Sequence, residues 1–225
     1  MFGAKYHGFS GVRGYRLTRS LRFRASASAY LSRTFGTPTS SKILTVSMWV
    51  KRGIIGSANS MRLFQPNAAS GPTLLFDVPA DAGGAVDTIS TVLNDGTSNF
   101  YNLSTPLRRD PSSWYHIMWA VDTTQATAAN RSILYVNGSQ VSWSTSSYPA
   151  QNATLANYSG QAYNIGTYDR LSRWFDGYLA EYYLIDGQAL TPSSFGQTDT
   201  ATGVWVPKKY TGTYGNIGFS LPFTD

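Results

Sequence analysis

Cleaving a glycosidic bond takes two carboxyl groups facing one bond, about 5–10 Å apart. This sequence holds one glutamate, Glu181, and eleven aspartates. Glu181 lies in Ala180-Glu181-Tyr182-Tyr183-Leu184-Ile185-Asp186. Its nearest carboxylates, Asp176 and Asp186, are each five residues away. In an extended strand an odd spacing puts side chains on opposite faces. Glu181 is therefore expected to be structural, paired with an arginine or a backbone amide, and no enzyme is expected. The two histidines offer little more. His116 sits in Trp114-Tyr115-His116-Ile117-Met118-Trp119, where alternation gives it a face with Trp114 and Met118. A packed or hydrogen-bonded role is expected there. His7 lies in an aperiodic N-terminal stretch. With no cysteine, disulfides and thiolate metal sites are excluded, and with two histidines so placed a zinc site or a Ser-His-Asp triad has little support.

Two other residue classes could bind. Asp77, Asp81, Asp87, Asp95, Asp122 and Asp169 fall near expected strand ends, and hard oxygen ligands suit Ca²⁺. They show no fixed spacing, and Asp in a turn has a local reason to be there. Calcium is the one cofactor left open. The aromatic residues number fifteen Tyr, eleven Phe and six Trp. Tyr148, Tyr158, Tyr168 and Trp174 fall in expected loops, where a ring with a polar tip suits sugar stacking or a protein interface. Core filling is the competing use, and Trp49, Trp114, Trp119 and Trp205 are assigned to it.

The charge is segregated. No acidic residue precedes Asp77, while eleven Lys and Arg do; from Asp77 onward there are seven basic and twelve acidic residues. Residues 1–19 form a Gly-, Tyr- and Arg-rich arm without periodicity. Lys5, Tyr6, Phe9, Arg13, Tyr15, Arg16 and Arg19 are its candidate contacts. Arginine neutralises phosphate and aromatics stack on bases, so nucleic acid is one reading. An acidic protein surface is the reading favoured here. An aperiodic arm buries too little apolar surface to order alone, so docking onto another chain is expected. Residues 1–16 contain no apolar stretch of the secretory kind, and no apolar run approaches the length of a membrane span, so no membrane partner is expected.

The elements that must position these residues read as strands. Ser20–Arg24 and Ile43–Lys51 alternate, the latter with Leu44, Val46, Met48 and Val50 on one side, and Ala29–Thr34 is a further short strand. Further strands are expected at Met61–Gln65, Thr73–Val78, Thr88–Leu93, Asn99–Leu103, Trp114–Val121, Ser132–Val136, Ala162–Thr167, Tyr178–Ile185, Gly203–Val206 and Ile217–Phe223. Asp95-Gly96, Asn137-Gly138, Asp176-Gly177 and Asp186-Gly187 read as tight turns. One helical turn is expected at Thr191-Pro192-Ser193-Ser194-Phe195, capped by Thr191. Many short strands with regular turns make an all-β sandwich over residues 20–225 behind the arm.

The residues then resemble a known superfamily. Ser20-Leu21-Arg22-Phe23, Leu44-Thr45-Val46-Ser47-Met48-Trp49-Val50-Lys51, Trp114-Tyr115-His116-Ile117, Leu134-Tyr135-Val136-Asn137-Gly138 and Phe175-Asp176-Gly177-Tyr178-Leu179-Ala180-Glu181 are similar, in this order, to concanavalin A-like lectin and laminin G domains. The resemblance implies a two-sheet antiparallel jelly-roll sandwich. The tail, with Thr191-Pro192-Ser193-Ser194-Phe195-Gly196 and Thr202-Gly203-Val204-Trp205-Val206-Pro207, looks like bacteriophage versions of the domain found in tail-fibre and head-decoration proteins. Related phage chains often continue past the point where this sequence stops. The resemblance implies a virion structural protein, for capsid decoration or a fibre, anchored through the arm to a capsid or tail protein or to copies of itself as a homo-oligomer. Nucleic acid is not the implied partner. The alternative is a carbohydrate-binding module for host-surface recognition. Hydrolases of this fold carry a Glu-x-Asp-x-x-Glu strand that this chain lacks. Lectin and laminin G domains often bind Ca²⁺ at loop carboxylates, which is the context for the aspartates above.

Overall fold

Strict alternation in Ile43–Arg52 (β3) and Tyr115–Asp122 (β8) sets the centre of the molecule. Leu44, Val46, Met48 and Val50 of β3 and Ile117, Trp119 and Val121 of β8 are fully buried on one face. The computed structural model describes residues 15–67, 69–77 and 83–224. The remaining strands are Leu21–Phe23 (β1), Leu31–Thr34 (β2), Met61–Pro66 (β4), Thr73–Phe76 (β5), Ile89–Asn94 (β6), Asn99–Ser104 (β7), Ser132–Val136 (β9), Ser139–Gln140 (β10), Trp143–Ser146 (β11), Ala162–Ile165 (β12), Gly177–Asp186 (β13), Gly196–Thr198 (β14), Trp205–Pro207 (β15) and Phe219–Leu221 (β16).

These strands build an all-β sandwich. The first sheet runs β1-β13-β3-β8-β9-β10, with β16 also pairing β13; the second runs β11-β7-β6-β5-β4-β12-β2. All pairs in both are antiparallel. The inner faces meet in one apolar core that includes Met48, Trp119, Leu134 and Leu179 from the first sheet and Phe64, Phe76, Ile89 and Leu93 from the second.

A second, smaller core lies on the outer face of the first sheet. Met118 and Ala120 of β8 and Tyr183 and Ile185 of β13 point there, and Phe195 and Tyr210 from the C-terminal segment cover them. That segment folds its own β14–β15 hairpin.

Three strands escape the sequence pattern: β10, β11 and β14. They are short and mostly polar, so no alternation marks them. Pairing with a neighbour creates them. Asn137-Gly138 is a true hairpin, with φ of +49° and +80° between β9 and β10. Asp95-Gly96 likewise joins β6 to β7. Asp176-Gly177 and Asp186-Gly187 are not hairpins. They flank β13, whose partners β1, β3 and β16 are all distant in sequence. The Asp176 carboxylate takes the Ala25 N–H at 3.0 Å and Arg22 at 2.7 Å, and Asp186 takes the Thr39 N–H at 2.6 Å. Pro192–Ser194 is a 3₁₀ turn as expected, but the Thr191 hydroxyl bonds Ser193 Oγ at 2.9 Å and caps no backbone amide.

Candidate functional site

The outer face of the second sheet carries a polar groove of about 200 Å³. Its floor is a row across three strands: Thr73 of β5 pairs with Val92 of β6, and Val92 with Tyr101 of β7. From β4 come Arg62 and Gln65. Three residues apart, they would face opposite ways on a regular strand. The register slips between Arg62 and Phe64, and this bulge brings both to the groove. Asn99 and the 69–71 turn complete one side, and Tyr168 and Arg173 the other.

Hydrogen bonds fix the floor. Gln65 Nε2 donates to the carbonyls of Pro66 and Ala69, both at 3.0 Å, and its Oε1 accepts from Thr73 Oγ1 at 3.0 Å. Asn99 Oδ1 accepts from Asn94 Nδ2 at 2.9 Å.

The loop carrying Tyr168 and Arg173 is wound on itself. Asp169 Oδ1 accepts the N–H groups of Leu171 and Ser172 at 2.9 and 2.7 Å, and Thr167 Oγ1 donates to Ser172 O at 2.8 Å. Both ends are tied to β4: Gly166 N–H donates to Arg62 O, and Arg62 N–H to Arg173 O. Arg173 has a φ of +55°, in the left-handed region that a non-glycine residue enters at a cost. The result is a cation–π pair of arginines on one ring: the guanidiniums of Arg173 and Arg62 lie 4.7 and 5.5 Å from the Tyr168 centroid. Tyr168 therefore holds cations.

Elsewhere, an ionic pin joins the end of β3 to the segments before β6 and after β7. Asp87 bonds Arg52 at 2.8 Å and Arg109 at 2.9 Å and accepts the Gly56 N–H at 2.9 Å. Burial pushes the Asp87 carboxyl up, but the Gly56 amide and the two guanidiniums outweigh it and hold it below the usual range.

A larger cleft, about 360 Å³, opens at the sandwich edge beside β2, β12 and β16. Its walls include Leu31, Phe35, Phe64, Ile165 and Phe219, with Arg33 the one charged side chain in its lining. It is a gap in the core packing and lacks the convergent polar groups of a recognition site.

The expected residues distribute as follows. Tyr168 reaches the groove. Trp174 lies elsewhere, with its ring 6.0 Å from Tyr30. Tyr148 is half-buried and does not line the groove. Tyr158 is not a surface residue: it is 1% exposed and edge-on to Phe35, because the 155–158 turn carries Leu155 and Tyr158 into the core. Trp119 fills the inter-sheet core, whereas Trp114, just before β8, is 37% exposed. Trp49 and half-buried Trp205 pack around His116 on the outer face of the first sheet.

His116 is fully buried. The indole N–H of Trp205 donates to its Nδ1 at 3.1 Å, so the other nitrogen, Nε2, carries the proton and donates to Ser47 Oγ at 2.9 Å. Burial lowers its pKa to about 3.

Among the described residues, Glu181 pairs with neither an arginine nor a backbone amide. Its two carboxylate oxygens accept from the phenols of Tyr15 and Tyr183. The register of β13 slips between Ala180 and Tyr183, and Glu181 has a φ of +47°; this bulge frees the side chain from the alternation on which the odd-spacing argument rests. Burial and then the bond to Glu181 push both phenols up from their ordinary values. Of the arm residues, Lys5, Tyr6, Phe9 and Arg13, together with His7, lie outside the described residues. Tyr15 is fastened to its own sandwich, and Arg16 and Arg19 are exposed.

The calcium candidates are not brought together. Asp95, Asp122 and Asp169 each bind groups in their own turns, Asp77 accepts from Gly84 and Ser90, and Asp87 is ion-paired. Asp81 lies outside the described residues. Among the described residues no three His, Asp or Glu side chains gather to hold a metal ion.

Sequence reasoning missed Arg62, Gln65, Asn99, Tyr101 and Arg173. The one signal was a charged residue, Arg62, inside the apolar run Met61–Phe64. The bulge and the loop that complete the groove leave no comparable mark.

Residues 25–194 match a laminin G family model described as the concanavalin A-like lectin/glucanases superfamily. No curated protein matches the sequence. Among solved structures, a Bacteroides ovatus protein provisionally assigned as carbohydrate-binding is similar with a TM-score of 0.55 and 16% identity, covering 77% of this chain and 44% of that one. Domain 4 of a GH43 extracellular arabinanase from Geobacillus stearothermophilus, in complex with arabinotriose, gives 0.47 and 18%, covering 69% and 65%. Mouse laminin α1 domains LG4–5 give 0.48 and 15%, covering 86% and 47%. This chain thus spans between 44% and 65% of the length of these three structures.

Proposed function

Because this chain belongs to the concanavalin A-like lectin/glucanase superfamily, we propose that it is a non-catalytic glycan-binding module whose site is the groove on the second sheet. A fold hosts many functions, so the reading rests on the site. One observation carries it: Arg62, Gln65, Thr73, Asn99, Tyr101, Tyr168 and Arg173 converge on a small, rigidly floored groove. Polar groups fixed before binding lose little entropy when a sugar arrives. Tyr101 supplies the ring against which a sugar can pack. The fold shared with the Bacteroides ovatus protein supports the same reading. Binding without hydrolysis is favoured by the carboxylates of β13: Glu181 is held by two phenols, and Asp186 by backbone amides.

A glycan array is the test. Wild-type protein should bind a reproducible subset of sugars, Tyr101→Ala should lose that binding, and Trp174→Ala should keep it. The opposite pattern, with binding lost only in Trp174→Ala, would move the site to the neighbouring loop and sink the groove assignment.

A second reading, attachment within a virion, is favoured by the charge segregation through residue 76. In it, the basic arm anchors the sandwich to a capsid or tail protein, or to further copies of this chain, and the groove faces outward. Deleting residues 1–19 should then abolish incorporation into particles while the sandwich stays folded. Normal incorporation of the truncated chain would end this reading.

A further inference from the structure

We propose that one end of the sandwich docks onto an anionic lipid surface. Ile54, Ile55 and Leu107 enter the apolar layer, while Trp114, Tyr178 and Lys51 settle among the headgroups. The inference does not depend on the groove.

Five of the eight large apolar side chains that stand exposed among the described residues gather at this end. They are Ile54, Ile55, Leu107, Trp114 and Tyr178, each 37–44% exposed. Exposed apolar side chains that cluster in this way mark an interaction site. They come from four separate segments, which the fold ties together. Gly53 N–H donates to Asp176 O, just before β13, and Gly56 N–H to the Asp87 carboxylate, both at 2.9 Å. The turn carrying Ile54 and Ile55 is thus held at both ends. Arg108 N–H donates to Asp87 O, and the Arg108 carbonyl accepts from Arg52 Nη1 at 2.6 Å, which seats Leu107 beside that turn. Asp110 N–H donates to the Tyr115 phenol at 3.2 Å and joins the same loop to the start of β8. Side chains on a backbone fixed in advance lose little entropy when a partner covers them.

The order of the layers points to lipid. Behind the tips a row crosses the first sheet: Arg22 of β1 pairs with Tyr178 of β13, and Tyr178 with Lys51 of β3. Val50 pairs with Tyr115, so Trp114 comes next to Lys51. Lys51 is two residues from Trp49, Tyr178 two from Ala180 and Trp114 two from His116, so alternation turns all three to the outer face. One row further in, Trp205 stacks on His116, whereas Trp114 and Tyr178 stay open. From tip to body the order is therefore aliphatic, then aromatic and cationic. A bilayer has the same order: hydrocarbon, then headgroups among which Trp, Tyr, Lys and Arg settle. A protein partner would need a pocket for each protruding chain, and hydrocarbon needs none. Charge agrees. Among the described residues, the carboxylates tied into this end are Asp77, Asp87 and Asp176, which are buried, and exposed Asp110. Arg22, Arg24, Lys51, Arg52, Arg108 and Arg109 outnumber them, and all but Arg52 reach the surface. A surplus of cations at the surface is drawn to anionic headgroups.

The test is cosedimentation of the full chain with vesicles of phosphatidylcholine alone and of phosphatidylcholine mixed in equal parts with phosphatidylglycerol. Wild type should bind the mixed vesicles and favour them over the neutral ones. The double variant Ile54→Ser, Ile55→Ser should weaken that binding about tenfold or more, because two aliphatic chains leave the apolar contact. Lys51→Gln should weaken it about fivefold, as one lost cation implies. Leu171→Ser, at an exposed leucine on the loop after β12, should change nothing. All these positions lie at or near the surface, so the variants should melt as wild type does. Lipids brominated on the acyl chain should quench wild-type tryptophan fluorescence more than that of Trp114→Phe, which reads insertion apart from mere adsorption. Absence of binding to either vesicle would overturn the proposal, as would equal binding to both. Equal loss in Leu171→Ser and the double variant would overturn it in favour of unspecific stickiness. A wild type that ignores vesicles but dimerises in sedimentation, with the double variant monomeric, would overturn it and give the patch to a second copy of this chain.

Discussion

The two sheets share one core but carry opposite kinds of outer face. The first sheet turns Met118, Ala120, Tyr183 and Ile185 outward and is covered there by Phe195 and Tyr210. The second turns out Arg62, Gln65, Thr73 and Tyr101, and a groove stays open above them. The difference follows from composition. An apolar outer face gains by being covered, at about 25 cal/mol per Å² of surface removed from water. A polar face whose groups already bond one another gains little from a cover. The C-terminal segment therefore covers the apolar face, and the opposite face stays open.

Breaking the covered face should have the largest effect. Phe195→Ala opens a cavity over Tyr183 and His116 and should destabilise the protein by about 3–5 kcal/mol in urea unfolding. Tyr101→Ala on the open face should cost within about 0.5 kcal/mol while abolishing sugar binding. If the two variants lose similar stability, the contrast between the faces is wrong.

Acid should weaken the covered face next. His116 is held neutral, with its pKa lowered by burial from 6.5 to about 3. Below pH 6.5 the unfolded chain takes up a proton that the folded chain refuses. This contribution is complete above that pH and falls by about 1.4 kcal/mol per pH unit down to about pH 3. Protonation would also set an N–H against the Trp205 indole N–H, two donors facing each other. His116→Gln removes the titrating group, so its loss of stability between pH 7 and pH 4, followed by urea unfolding, should be shallower than that of wild type. Parallel pH profiles for the two proteins would show that His116 is not the group responsible.

The smallest effect should come from the seam where the arm meets the sandwich. Tyr15→Phe removes one phenol from Glu181 and should cost about 1 kcal/mol. Thermal melting reads this, and an unchanged melting temperature would mean that Tyr15 does not fasten the arm.

Sequence pattern reached some of this and missed the rest for identifiable reasons. The Leu44–Val50 alternation named the inner face of β3, because period two is local and burial follows it. Asn137-Gly138 named its hairpin because both residues tolerate positive φ. Trp114 and Tyr158 were exchanged, one assigned inside and lying exposed, the other assigned outside and lying buried. Side-chain type alone does not say which way a loop turns. Glu181 was read by strand parity, and a bulge suspends parity.

By itself, then, the sequence determined an all-β sandwich, the absence of cysteine, the segregation of charge and the lack of a Glu-x-Asp-x-x-Glu strand, since composition and short-range periodicity encode these. Tertiary structure decided which residues form the groove. Arg62 and Arg173 are more than a hundred residues apart, and they meet on Tyr168 only because a bulge in β4 and a loop after β12 are tied together by backbone hydrogen bonds. Contacts of that separation depend on sheet register and loop path, which no local spacing records.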